Sequence, residues 1–124
     1  MHCTIYTDGS FSPISKKGSY AYYLVCNTLR KKHGGKVPYK YRYTNINFCE
    51  MYAIAKGVYM AVRIPGVTSI SVHTDSMTCK KFFYGKPPNC VDNVIGLAQW
   101  VMDLVETRNI RLIVKHVKGH QKNK

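Results

Sequence analysis

The spacing of apolar residues along the chain changes near Asn47. Before it, short stretches carry the β-branched and aromatic content of strands. Residues 2–7 are the first, with a predicted end at Asp8-Gly9 and a loop containing Pro13, Lys16, Lys17 and Gly18. GSYAYYLVCN, residues 18–27, is the second. RKKHGGKVP has the composition of a hairpin turn, and YKYRYTN alternates Tyr39, Tyr41 and Tyr43 with Lys40 and Arg42, as a third strand would. The expected arrangement of this part is a three-stranded antiparallel meander.

From Asn47 the period becomes helical. Phe48, Met51, Tyr52, Ala55, Val58, Tyr59 and Val62 fall on one face, and the pattern stops before Pro65-Gly66. SISVHTDS predicts a short strand ending in Asp75, followed by a short helix to Tyr84 that Gly85, Pro87 and Pro88 terminate. Val94, Leu97, Ala98, Val101 and Val105 mark a second amphipathic helix, and IRLIVKHV a last strand. The order β-β-β-α-β-α-α-β has no repeat and no linker. Strands separated by helices require parallel crossovers, so the expected class is α/β, with a mixed five-stranded sheet flanked by helices.

A length of 124 residues allows one domain with a real core. The net charge of +13 directs attention to a polyanionic partner, nucleic acid before an acidic membrane surface. Five cysteines, odd in number and never in a C-x-x-C pair, argue against a disulfide framework and against zinc. No apolar run reaches transmembrane length and no secretory leader pattern opens the chain, so the expectation is a soluble, intracellular and cytoplasmic protein without a membrane partner.

Six Asp and Glu stand against nineteen Lys and Arg, so the position of each acid carries information. Asp92, Asp103 and Glu106 fall on or at the start of the second long helix, where a solvated face or a cap accounts for them. Asp8 and Asp75 each follow a Thr at the end of a predicted strand, in TDGS and TDS, and Glu50 lies early in the first long helix. In α/β sheets that edge of the strands is where ligands bind. Individually, Asp8 could start a turn, Glu50 could complement a helix N-terminus and Asp75 could cap the next helix. Three carboxylates converging would instead require divalent cations between them, and hard oxygen ligands favour Mg²⁺ or Mn²⁺.

YTDGS, NFCEMYAIAKGV on a helix, VHTDS on a strand and VKGH after the last strand resemble type I ribonuclease H, in that order and across nearly the whole chain. A DDE-type integrase would place its Glu last, and a proofreading exonuclease would have a Glu where Ser10 stands. The resemblance implies a ribonuclease H-like sheet with strands 1–3 antiparallel and strands 4 and 5 parallel to strand 1. It implies hydrolysis of the RNA strand of RNA/DNA hybrids with two Mg²⁺ ions, for which Mn²⁺ can substitute. Asp8, Glu50 and Asp75 would hold the metals, and His120 would assist product release or proton movement. Asn45 or Asn47 would contact ribose 2′-hydroxyls, with Gly9 and Ser10 also at the nucleic acid. The family's fourth carboxylate, an Asp about ten residues beyond the His, has no counterpart, and neither has the last helix. The expectation is a single domain over residues 1–124, truncated at its C-terminus.

Between Asp8 and Glu50 the chain has Lys16, Lys17, Arg30, Lys31, Lys32, Lys36, Lys40 and Arg42 and no acid, which predicts a phosphate-binding face. Lys80 and Lys81 on the short helix fit either a grip on the DNA strand or an ordinary exposed face. The expected partner is an RNA/DNA hybrid, bound by a monomer with no obligate protein partner. Two other assignments share these residues: a weak or inactive module that binds hybrid or double-stranded RNA, and a ribonuclease H domain excised from a larger reverse transcriptase.

Overall fold

The computed structural model describes residues 1–38, 45–84 and 92–117. The chain runs through β1 (His2–Ser12), β2 (Lys17–Cys26), β3 (Leu29–Lys36), α1 (Ile46–Val62), β4 (Ser69–Thr74), α2 (Met77–Phe82), α3 (Asp92–Thr107) and β5 (Arg111–His116). The strands form one sheet in the order β3-β2-β1-β4-β5. The β1–β2 and β2–β3 pairs are antiparallel, whereas β4 is parallel to β1 and β5 parallel to β4. The mixed sheet therefore matches the α/β class expected from the order of elements. Among the described residues, no helix is long and apolar enough to cross a membrane.

Alternation places the core on one face of the sheet. Cys3 and Ile5 of β1, Tyr20, Tyr22 and Leu24 of β2, Ile70 and Val72 of β4 and Val114 of β5 point the same way and are buried. Helix α1 lies against this face and is buried around most of its circumference, with Phe48, Met51, Ile54 and Val58 fully enclosed. Each such side chain contributes about 1.5–3 kcal/mol by leaving water. Helix α3 packs on α1 and buries Val94, Ala98, Val101 and Val105, the stripe expected from its spacing. Tyr59, expected on the apolar face of α1, is 40% exposed and lies beside Trp100 of α3.

Asn45 starts α1. Its side-chain oxygen accepts from the Phe48 amide at 2.9 Å, satisfying a donor the helix cannot. Gly66, at φ 87°, turns the chain after the helix. The outer edge of β5 is engaged by Tyr84, whose hydroxyl accepts from the Val114 N–H at 2.9 Å and donates to the Val114 carbonyl at 3.2 Å.

Two local expectations need correction. RKKHGGKVP is not a turn: residues 29–36 are β3, paired with β2 from Cys26↔Leu29 to Ser19↔Lys36. The reversal occurs earlier, at Asn27, where φ is 56°. All eight residues of β3 are exposed, so the strand has no hydrophobic alternation to display. The third strand expected in YKYRYTN, with Tyr39, Lys40, Tyr41, Arg42 and Tyr43, lies outside the described residues. The first strand also does not end at Asp8-Gly9, because β1 continues to Ser12 against β2.

Candidate metal centre and nucleic-acid face

The parallel pairing of β1 with β4 ends at Tyr6↔His73. Asp8 lies two residues beyond that end and Asp75 directly after β4, so both stand at the carboxyl end of the parallel pair although β1 itself runs on. Glu50, on α1, reaches the same place. One carboxylate oxygen from each of Asp8, Glu50 and Asp75 lies within 4.8 Å of the others. Asp8 is exposed, Asp75 half-buried and Glu50 5% exposed.

The local alternatives for the three acids do not hold. Asp8 sits inside a strand and starts no turn. Glu50 is the fifth residue of α1, whose first turn contains no acid. The cap of α2 is Ser76, whose hydroxyl accepts from the Cys79 amide at 3.0 Å. Thr74, fully buried, holds the Ser76 amide at 3.1 Å, so both neighbours of Asp75 are tied to backbone. Spacing alone did not mark Thr74 and Ser76 as supports, although a Thr-Asp-Ser run before a helix is a capping signal.

Burial pushes the Glu50 carboxyl up to about 9, reinforced by a hydrogen bond with Asp75 and by the negative charges of Asp75 and Asp8; the Gly9 N–H opposes this by favouring the charged form. Glu50 Oε1 is buried without a hydrogen-bond partner. A divalent cation fits this donor set: hard oxygens, excess negative charge and an unsatisfied buried acceptor. Among the described residues, Asp8, Glu50 and Asp75 are the group that could hold a metal ion, and no cysteine joins it. Cys3, Cys26, Cys49 and Cys79 are buried and not joined in disulfides, and burial pushes Cys3 up to about 12 and Cys49 up to about 11.

A cavity of about 420 Å³ opens beside the acids, lined by Gly9, Asn47, Glu50, Asp75, Ser76 and Thr78 among others. Asn47 is on this wall, whereas the oxygen of Asn45 is committed to capping α1. A larger cavity, about 550 Å³, lies between α3 and the start of β5, but Glu106 is its single carboxylate, so size does not locate the chemistry. Gly9 is buried against α1 and Ser10 is exposed further along β1. Lys16 and Lys17 are exposed at the β1–β2 reversal, and Arg30, Lys31, Lys32 and Lys36 are exposed along β3. Lys80 and Lys81 are on α2, with the Lys80 ammonium 6.0 Å from the Tyr84 ring centre. His120, like Lys40 and Arg42, lies outside the described residues.

Comparison with known proteins adds to this geometry. RNase H1 from the halophilic archaeon Halobacterium salinarum NRC-1 is similar in structure, with a TM-score of 0.80 at 17% identity over 96% of this chain and 87% of that one. LC11-RNase H1, solved in complex with an RNA/DNA hybrid, gives 0.72 at 12% identity over 98% and 88%. Prototype foamy virus protease-reverse transcriptase gives 0.70 at 18% identity, covering 99% of this chain and 18% of that longer one. No curated protein sequence matches the chain. The structural likenesses establish a shared fold, and the RNase H family profile matches residues 1–124 from end to end. With its acids gathered at the end of the β1–β4 pair, the chain belongs to the RNase H family.

Proposed function

We propose that the protein is an endoribonuclease that hydrolyses the RNA strand of RNA/DNA hybrids, giving 3′-hydroxyl and 5′-phosphate ends. The observation that carries this reading is the convergence of three of only six acids to within 4.8 Å in a family whose chemistry suits divalent metals. Asp8, Glu50 and Asp75 would hold two Mg²⁺ ions, with Mn²⁺ as a substitute. Such a pair, when bound, supplies an activated water and neutralises charge on the leaving oxygen.

The chain's own residues divide the remaining work. Glu50, enclosed by α1 and β1, is the fixed anchor of the acid cluster, whereas exposed Asp8 faces the side from which a phosphodiester arrives. Asn47, which lines the cavity beside Glu50 and Asp75, would donate to a ribose 2′-hydroxyl, the group that distinguishes RNA from DNA. Lys16, Lys17 and the cations of β3 offer neutralisation to the phosphates of a duplex. Support for a hybrid substrate comes from the related LC11-RNase H1, which binds one.

The test is cleavage of an end-labelled hybrid in Mg²⁺, with chelator and Asp8→Asn as controls. Cleavage should depend on metal and disappear in Asp8→Asn while the fold persists. Undiminished cleavage by Asp8→Asn would falsify the metal-site assignment. Metal-independent binding with no cleavage by wild type would favour the binding-module reading.

A further inference from the structure

Three contacts tie together the elements that carry Asp8, Glu50 and Asp75, one along each side of the triangle that the acids form. The first joins β1 to β4. Backbone pairing of these strands stops at Tyr6↔His73, and beyond it β1 continues along β2 while β4 gives way to Asp75. At that fork the Thr7 hydroxyl donates to the His73 carbonyl at 3.1 Å. A side chain thus adds one rung where the ladder has ended, on the residue before Asp8 and to the residue two before Asp75.

The second contact joins α2 to α1. The thiol of Cys79, a fully buried residue, donates to the Asn47 carbonyl at 3.4 Å, and the Cys79 amide donates to the Ser76 hydroxyl at 3.0 Å. Asp75 is thereby connected, through the cap of α2, to the helical turn that carries Glu50. The third side needs no side-chain link, because Gly9 lies directly against the backbone of Cys49 and Glu50. These contacts are internal: Thr7 is half-buried, and Gly9 and Cys79 are buried. They do not depend on what lies against the outer surface of the sheet.

Tenths of an ångström matter at such a cluster. Carboxylates without a cation between them repel one another, which favours opening. Two oxygens on one cation stand at most twice the metal–oxygen distance apart, about 4.2 Å for Mg²⁺ and about 5 Å for Ca²⁺. The acid oxygens lie within 4.8 Å of one another, a limit between those two spans. A cluster held from opening suits the smaller ion. One free to open suits Ca²⁺, which accepts longer bonds and irregular coordination where Mg²⁺ demands a near-ideal octahedron.

We infer that Thr7 and Cys79 are positioning residues that hold Asp75 close to Asp8 and to Glu50, and so make the acid cluster select Mg²⁺ over the larger Ca²⁺. The inference deepens the metal-centre reading of the three acids and rests on it. Both residues act through backbone: Thr7 keeps β1 and β4 from splaying, and Cys79 keeps α2 on the start of α1.

Calorimetric titration of the whole chain with Mg²⁺ and with Ca²⁺, without nucleic acid, reads the selectivity. Wild type should prefer Mg²⁺, and Asp8→Asn should lose that binding. Thr7→Val keeps the shape and removes the hydroxyl; it should lower Mg²⁺ affinity about tenfold while Ca²⁺ affinity changes little. Thr7→Ser should keep the wild-type ratio. Cys79→Ala should lower the ratio and Cys79→Ser should retain it, and this pair decides the matter if Thr7→Val does not fold. Val101→Ala opens a cavity under α3 away from the acids; it should lower the Tm and leave the ratio alone. Ratios that are equal in wild type, Thr7→Val and Cys79→Ala overturn the inference, as does a fall that Val101→Ala reproduces. A wild type that binds Ca²⁺ as tightly as Mg²⁺ overturns it too. If wild type takes up neither ion, the metal-centre reading itself falls; if wild type and the variants all prefer Mg²⁺ alike, the metal centre stands and only the positioning role falls.

Discussion

A Cβ placed on Gly9 would lie 2.5 Å from the Glu50 amide nitrogen and 2.6 Å from the Cys49 carbonyl carbon. The contact is backbone on backbone, so no rotamer change relieves it. The separation of Asp8 from Glu50 depends on that missing methyl. Gly9→Ala should destabilise the protein by about 1–3 kcal/mol and weaken Mn²⁺ binding by calorimetry well below the unfolding temperature. Unaltered metal affinity would show that the two carboxylates are positioned independently of this contact.

Glu50 sets a pH dependence of the metal-free fold. Its folded value, pushed up to about 9, exceeds the ordinary 4.5, so between these values the native state holds a proton that the unfolded chain releases. The resulting stability is complete below about pH 4.5 and is lost as pH rises toward 9. In chelator, the Tm of wild type should therefore fall relative to that of Glu50→Gln between pH 5 and pH 8.5. Mg²⁺ should recover wild type at the alkaline end. Parallel Tm curves for the two proteins would show that Glu50 ionises as readily folded as unfolded.

The two asparagines before Glu50 should separate in their effects. Asn45→Ala removes a cap and should cost about 1 kcal/mol of stability, read by urea unfolding. Asn47→Ala should leave stability nearly unchanged and impair hybrid cleavage, mainly when the scissile ribose carries its 2′-hydroxyl. The reverse pattern would exchange their roles.

The cations of β3 should appear in the salt dependence of hybrid binding. Lys31→Ala with Lys32→Ala should reduce the slope of log affinity against log salt by about 1.8, at about 0.9 per lost phosphate contact. A slope that does not move would place the duplex on another surface.

The acid cluster was legible because carboxylates are scarce in this chain and because Thr-Asp recurs at two predicted strand ends. The helices were legible because Phe48, Met51, Val58 and the Val94–Val105 stripe face a core. Strand β3 was not, for the converse physical reason: an edge strand exposed on both faces needs no hydrophobic period, and Gly34-Gly35 imitates a turn. The continuation of β1 past Asp8 was hidden similarly. Gly9 suggested a reversal, but its small size serves the close approach of α1. The capping role of Asn45 could not be read without knowing where α1 begins, since only the helix start puts the Phe48 amide within reach of its side-chain oxygen.

Tyr84 has a further consequence. A five-stranded open sheet has two edges on which a foreign strand can grow, and this one guards them differently. Along β3 the guard is charge, with Arg30, Lys31, Lys32 and Lys36 repelling a like-charged neighbour. At β5 it is a phenol that occupies both the donor and the acceptor of Val114. Salt screens the first guard and leaves the second intact. Concentrated electrolyte therefore selects β3 as the side from which intermolecular sheets begin, and the growth of aggregates is polar from its first added strand.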